Sequence, residues 1–216
     1  MQTKIVTNKF ESLPKKLLSL IDDKSTLLPG EEIRFKSSGK NFRNIVDCSF
    51  KLFDRYIAVS QTIKDLNNIQ IATVGKIIEF SESNDSNYTI IVEGIIRFRI
   101  NDQKKYNDNL TILYPDYSKY EDDLLFKDFV FNDRENINDL VYEYLNLTNN
   151  NEIDENKLIM FSDIKLISFI SNQLKFNKYK KQKLLYAQNS NEIDNFIANT
   201  LNLEIALIES RQSAKH

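Results

Sequence analysis

From Lys15 to about Tyr117 apolar and polar residues alternate in short runs rich in β-branched and aromatic side chains, at 16–21, 31–36, 55–61, 69–80, 87–93, 95–100 and 109–114. Clusters of Asn, Asp, Ser and Gly separate the runs, and strands at that density predict an all-β sheet system or barrel. Within 95–100 the period of two places Ile96, Phe98 and Ile100 on one face and Arg97 and Arg99 on the other. Phe98 is therefore expected to point inward, and both arginines to face away from the core, within reach of nearby acids. Gly94 reads as a bend or hairpin residue between two strands, and Pro29-Gly30 as a turn that opens one.

One interruption has the period of a helix. Phe42, Ile45, Val46, Ser49, Phe50 and Phe53 recur at steps of three and four, which predicts a helix over 41–53 laid on the sheet, with Asn41 as its N-cap. Beyond about Asn132 the helical period takes over. Stripes run through Ile137, Leu140, Val141, Tyr144 and Leu145, through Leu166, Phe169, Ile170 and Leu174, through Leu184, Leu185 and Ala187, and through Ile193, Phe196, Ile197, Leu201, Ile205 and Ile208. Asn132 with Glu135 and Asn189 with Glu192 have the spacing of capping boxes. These patterns predict an α+β chain: a β-rich part with one helix over 1–118, then a helical bundle over 119–216, joined through 116–131.

Composition narrows the chemistry. With 216 residues and 41% hydrophobic content the chain can bury a sizeable core. A single cysteine, Cys48, excludes an intramolecular disulfide and any multi-cysteine metal site, and its place beside the helical stripe marks it as an inert, buried thiol. The first residues lack an apolar signal segment and no stretch reaches the roughly 18 apolar residues of a membrane span, so a cytoplasmic protein is expected.

Four glycines, at 30, 39, 75 and 94, cannot make a phosphate-binding loop, and the one histidine is the terminal His216, poorly placed to serve a catalytic triad. Neither catalytic residues, nor a cofactor, nor a metal site are expected. The paired acids Asp22-Asp23, Glu31-Glu32 and Asp122-Asp123 read as solvated, as does the whole 120–123 run. Lys175–Lys183 holds five lysines in nine positions, while 121–163 holds three basic residues against twelve acidic. Pairing across the bundle explains that run better than contact with nucleic acid.

The order of landmarks is that of a known family. Leu27-Leu28-Pro29-Gly30-Glu31-Glu32-Ile33-Arg34-Phe35, the helix from Phe42, the segment Ile71–Phe80 and the run Ile90–Ile100 with its Gly94-Ile95-Ile96-Arg97-Phe98 core together resemble the N-terminal domain of the ATP-dependent protease Lon. Lys181–Ala187 and Asn199–Leu207 are similar to the helical half of short bacterial proteins made of this domain alone. Two family features are missing: Lys36–Phe42 replaces an acid- and proline-containing stretch, and Leu18-Ser19-Leu20 stands where an F-P-L triplet is usual.

The resemblance implies a PUA-like pseudo-barrel and a non-catalytic module that recognises unfolded or extended protein segments and works beside a protease or chaperone, without ATPase or protease domains of its own. An RNA-binding protein of the same fold class is the alternative. The residues expected to line an apolar peptide groove are Leu28, Ile33, Phe35, Phe42, Phe50, Phe53 and Phe98, although a plain hydrophobic core accounts for the same aromatics more simply.

Overall fold

The alternating positions form six strands among the residues described by the computed structural model, which are 13–22, 26–61, 70–83, 87–107, 109–125, 130–148 and 155–214. Segment 1–12, Asp23 and His216, all considered above, lie outside them. The strands are β1 (Leu17–Ile21), β2 (Glu32–Ser37), β3 (Tyr56–Ser60), β4 (Ile71–Glu82), β5 (Tyr88–Asn107) and β6 (Leu110–Asp116), in a sheet of order β2-β5-β4-β3-β1-β6. Because β6 pairs with β5 as well as with β1, five strands close into a ring, and β2 lies along the first half of β5. Every pairing is antiparallel except that of β1 with β3. Closure satisfies strand edges that would otherwise be open to other chains. This is the barrel-like β part that the sequence predicts.

Gly94 is not a hairpin residue. β5 runs unbroken for 20 residues, and its pairing with β4 sets Gly94 opposite Gly75 but Ile96 opposite Val74, so Ile95 is the extra residue of a β-bulge. One extra residue moves every following side chain to the other face. Ile90 and Val92 consequently pack in a cluster with Leu18, Phe35, Ile57 and Ile112, whereas Ile96 and Phe98 pack in a second with Leu17, Val74 and Leu113. The bulge is what lets one strand serve two cores.

Helix α1 (Lys40–Leu52) covers the first of those clusters, burying Ile45, Val46 and Ser49 while Phe53, at its C-cap, closes the end. Its N-cap is Gly39 and not Asn41, which lies inside the first turn; no side chain caps it. Cys48 packs against the same cluster but is half-buried and not, as expected, buried.

The chain divides into two compact units, the first made of residues 1–126 with Asn177–Tyr186 and the second of Lys127–Phe176 with Ala187–His216. Helix α5 (Lys178–Tyr186) groups with the strands through the contacts described below. The second unit contains α2 (Arg134–Leu147), α3 (Glu155–Ile159), α4 (Asp163–Gln173) and α6 (Ser190–Ser213); the centre of each expected stripe is buried, while Leu140, Tyr144, Phe169, Leu174, Phe196 and Ile208 at the stripe margins are half-buried. Asn189 caps α6 as its sequence predicts, accepting from Glu192 N at 3.0 Å while Glu192 Oε2 accepts from Gln188 N at 3.0 Å. The α2 cap is Asp133, one residue later than the predicted Asn132: its Oδ1 accepts from Asn136 N at 3.1 Å. Arg134 then ties the unit together, ion-paired with Asp163 and donating to the carbonyls of Leu158 and Phe161, each at 3.0 Å.

Candidate functional site

The motif residues that stand out in the sequence are occupied with holding the β unit together. Leu28–Glu31 is a tight turn: Gly30 has φ 76°, and Glu31 N donates to Leu28 O at 3.0 Å. The turn is pinned on β5, with Gly30 N donating to Gly94 O at 2.7 Å and Gly94 N to Glu31 O at 2.9 Å. Glu31 is buried, contrary to the solvated reading of Glu31-Glu32. One of its oxygens accepts from Leu28 N at 3.0 Å and the other pairs with the buried Lys181 of α5 at 2.9 Å. The lysine run does pair internally at this position, but with a turn of the sheet and not with the acids of 121–163.

Arg97 corrects a second expectation. It is fully buried, as is Asp123, although the acidic composition of 120–123 predicts a solvated run. Asp123 sits in a short 3₁₀ turn (Glu121–Leu125); its Oδ1 pairs with Arg97 Nη2 at 2.7 Å and its Oδ2 accepts from Arg97 N at 2.8 Å. Arg97 Nη1 donates to Leu185 O of α5 at 3.2 Å, and the guanidinium lies 4.8 Å from the ring centre of Tyr120. Alternation placed Arg97 correctly on the face opposite Phe98. What it could not supply is that the 3₁₀ turn and α5 cover the arginine; Arg99, two residues on, is exposed.

The seven residues expected to form a groove are dispersed. Leu28, Phe35, Phe53 and Phe98 are buried, Ile33 and Phe42 are partly covered, and Phe98 belongs to the other cluster from Ile33, Phe35, Phe42 and Phe53. Phe50 remains open, 44% exposed. It meets Phe80 of β4 edge-on at 5.6 Å between ring centres, and Phe80 meets Tyr88 of β5 at 5.0 Å. Phe80 is equally exposed at 44%, so an aromatic row extends from α1 across the β4–β5 pair into solvent. Phe80 and Tyr88 were not found from sequence, because their meeting depends on the register of β4 with β5, including a second irregularity between Ile77 and Glu79.

Where α1 ends, the same unit opens a pocket of 460 Å³. Phe53, Tyr56 and Tyr114 supply its aromatic walls, and Pro14, Lys15 and Lys16 part of its rim. Leu52, 57% exposed, and Asp54 complete it. A cation lies near each ring: Lys16 Nζ 5.7 Å from the centre of Phe53, Lys76 Nζ 5.2 Å from Tyr56 and Lys104 Nζ 5.2 Å from Tyr114. Asp54 and Arg55 both adopt positive φ, 47° and 66°, a conformation that costs an ordinary side chain about 1–2 kcal/mol and here turns the helix directly into β3.

Tyr117 donates its hydroxyl to the carbonyl of the lining residue Pro14 at 2.7 Å. Burial, and next the neighbouring Tyr56, hold its phenol well above the ordinary value of 10.0. Burial likewise raises Tyr120, against the opposing pull of Arg97. Since the folded state keeps both phenols protonated where the unfolded chain would ionise them, stability is intact below about pH 10 and is lost as pH rises beyond it. In an alkaline titration the phenolate absorbance of these two tyrosines is expected to appear together with loss of far-ultraviolet dichroism; ionisation ahead of unfolding would contradict their burial.

Among the described residues no cluster of three or more His, Cys, Asp or Glu side chains is placed to hold a metal, and no helix is long and apolar enough to cross a membrane. With this geometry in view, comparison with known proteins places the chain. The family model of the ATP-dependent protease La (LON) substrate-binding domain matches residues 20–192, and the chain belongs to that family. Its fold is similar to that of the Lon N-terminal domain protein from Xanthomonas campestris, with a TM-score of 0.61 at 13% identity over 86% of this chain and 98% of that one. The N-terminal domain of the Mycobacterium avium complex Lon protease is similar at a TM-score of 0.59 and 12% identity, over 90% and 98% of the two chains. No match was found among curated proteins.

Proposed function

We propose that the chain is a non-catalytic protein-binding module that captures extended, aromatic- or aliphatic-rich polypeptide segments in the cytoplasm and presents them to a separate protease or chaperone. The row of exposed Phe50 and Phe80 with half-buried Tyr88 carries the reading. Two phenylalanines each 44% exposed and in edge contact are poor solutions for a solvated surface, and burial of such area contributes about 25 cal/mol per Å². Membership of a substrate-binding family supports the same reading. Of the seven residues named from sequence, Phe50 is the one we assign to direct contact, while Phe35, Phe42 and Phe53 support α1 beneath it.

A labelled, permanently unfolded protein should therefore bind the intact chain, and the double variant Phe50→Ser, Phe80→Ser should weaken that binding by roughly tenfold or more, equivalent to about 1.4 kcal/mol. Both side chains are half open, so the variant should keep its circular dichroism spectrum and unfolding midpoint. Equal affinity of a folded double variant would remove the aromatic row from the binding surface.

A further inference from the structure

We infer that the pocket at the end of α1 accepts an apolar side chain flanked by carboxylates, so that the segments this module takes are acidic polypeptides; the inference rests on the capture reading and adds to it the charge of the ligand. Two independent features of the pocket lead there. Its walls are aromatic, Phe53, Tyr56 and Tyr114, with the exposed Leu52 beside them, which suits one inserted apolar or aromatic side chain. Its surroundings are cationic: Lys15 and Lys16 line it, and Lys76 and Lys104 stand over two of the rings, against Asp54 in the lining and Asp102, which lies 3.6 Å from Lys104. Among the described residues Lys15, Lys16 and Lys76 form no ion pair within 4.0 Å, so their charge is available to a partner.

This concentration of positive charge runs against the chain as a whole, whose net charge is −2. A peptide carrying acids beside an inserted side chain would meet Lys15 and Lys16 in the lining and Lys76 and Lys104 over the rings, and like charges elsewhere on the protein would disfavour its binding outside the pocket. Single-stranded nucleic acid is the other polymer with anions and flat apolar groups. Membership of the substrate-binding family of a protease favours the polypeptide over it.

Fluorescence anisotropy with a short labelled peptide tests this, using a central phenylalanine flanked by Asp and Glu, beside the same peptide with Lys at every acidic position. The acidic probe should bind roughly tenfold more tightly, as two solvent-exposed ion pairs allow, and the advantage should shrink as salt is added. The double variant Lys15→Glu, Lys16→Glu, both exposed and outside either core, should abolish or invert the preference without changing the unfolding midpoint.

Equal binding of the two peptides would overturn the inference and leave capture itself standing. Binding of the unfolded protein with neither peptide bound would do the same. Loss of peptide and unfolded-protein binding alike would overturn both readings. Binding of a labelled single-stranded RNA that is lost in the Lys15→Glu, Lys16→Glu variant, with the acidic peptide unbound, would overturn the peptide assignment in favour of nucleic acid.

Discussion

Replacing Asp123 by alanine is expected to lower the stability of the first unit by about 3–5 kcal/mol, the largest single effect we anticipate from a side-chain truncation. Both partners of the Arg97–Asp123 pair are completely shielded from water, and the carboxylate also takes the backbone N–H of Arg97, so truncation strands a guanidinium and an amide together. The cost lies in the stranded cation more than in the lost attraction, because bringing two charges out of water already consumed most of what their pairing returns.

That distinction is measurable. Arg97→Met combined with Asp123→Leu removes both charges and should recover most of the loss, whereas Arg97→Lys should not be mild, since an ammonium cannot reach two carboxylate oxygens and Leu185 O from one planar group. Urea unfolding followed by circular dichroism gives the three free energies. A double variant no better than Asp123→Ala would mean that the pair is net stabilising and the desolvation argument is wrong here.

The same pair shows what a sequence can and cannot say. The strands, the helix over 41–53 and the helical stripes were legible because each depends on a local period of two or of 3.6. The direction of Arg97 relative to Phe98 was legible for the same reason. Its cover was not, because Asp123 lies 26 positions away and Leu185 lies 88 away, and no local pattern records which segment returns to a given face. Burial of Glu31 depends on Lys181, 150 positions on.

The bulge beside Gly94 is hidden from the sequence for a different cause. A bulge resets the alternation, so two stretches with opposite facing look like two strands with a break between them. The candidate site suffered from both effects. Most of the aromatics that the sequence singles out on and near α1 are core, and the aromatic row includes Phe80 and Tyr88, which only the β4–β5 register brings beside Phe50.

Gly94→Ala should be the most damaging conservative change, at about 3 kcal/mol or more, the upper end of what over-packing costs. A methyl group at this position would lie 2.1 Å from Leu28 O and 2.9 Å from Leu28 C, and these are backbone atoms of a turn that cannot rotate aside. Relief requires moving the turn, but the turn is held to Gly94 itself by Gly30 N and Glu31 O, and to α5 through the Glu31–Lys181 pair. Gly39→Ala is the control: its methyl would meet only Ser37 Oγ, at 3.2 Å, and it should change stability by less than about 1 kcal/mol.

The route of the damage can be separated from its size. If the new methyl acts by pushing Leu28–Glu31 off β5, the Glu31–Lys181 pair is already broken in Gly94→Ala, and adding Lys181→Met should cost far less than it does in the parent chain. Additive losses in this double-mutant cycle would mean that the strand gives way while the turn stays put. The glycine would then be required by β5, and the Leu28–Glu31 turn would be a passenger on it.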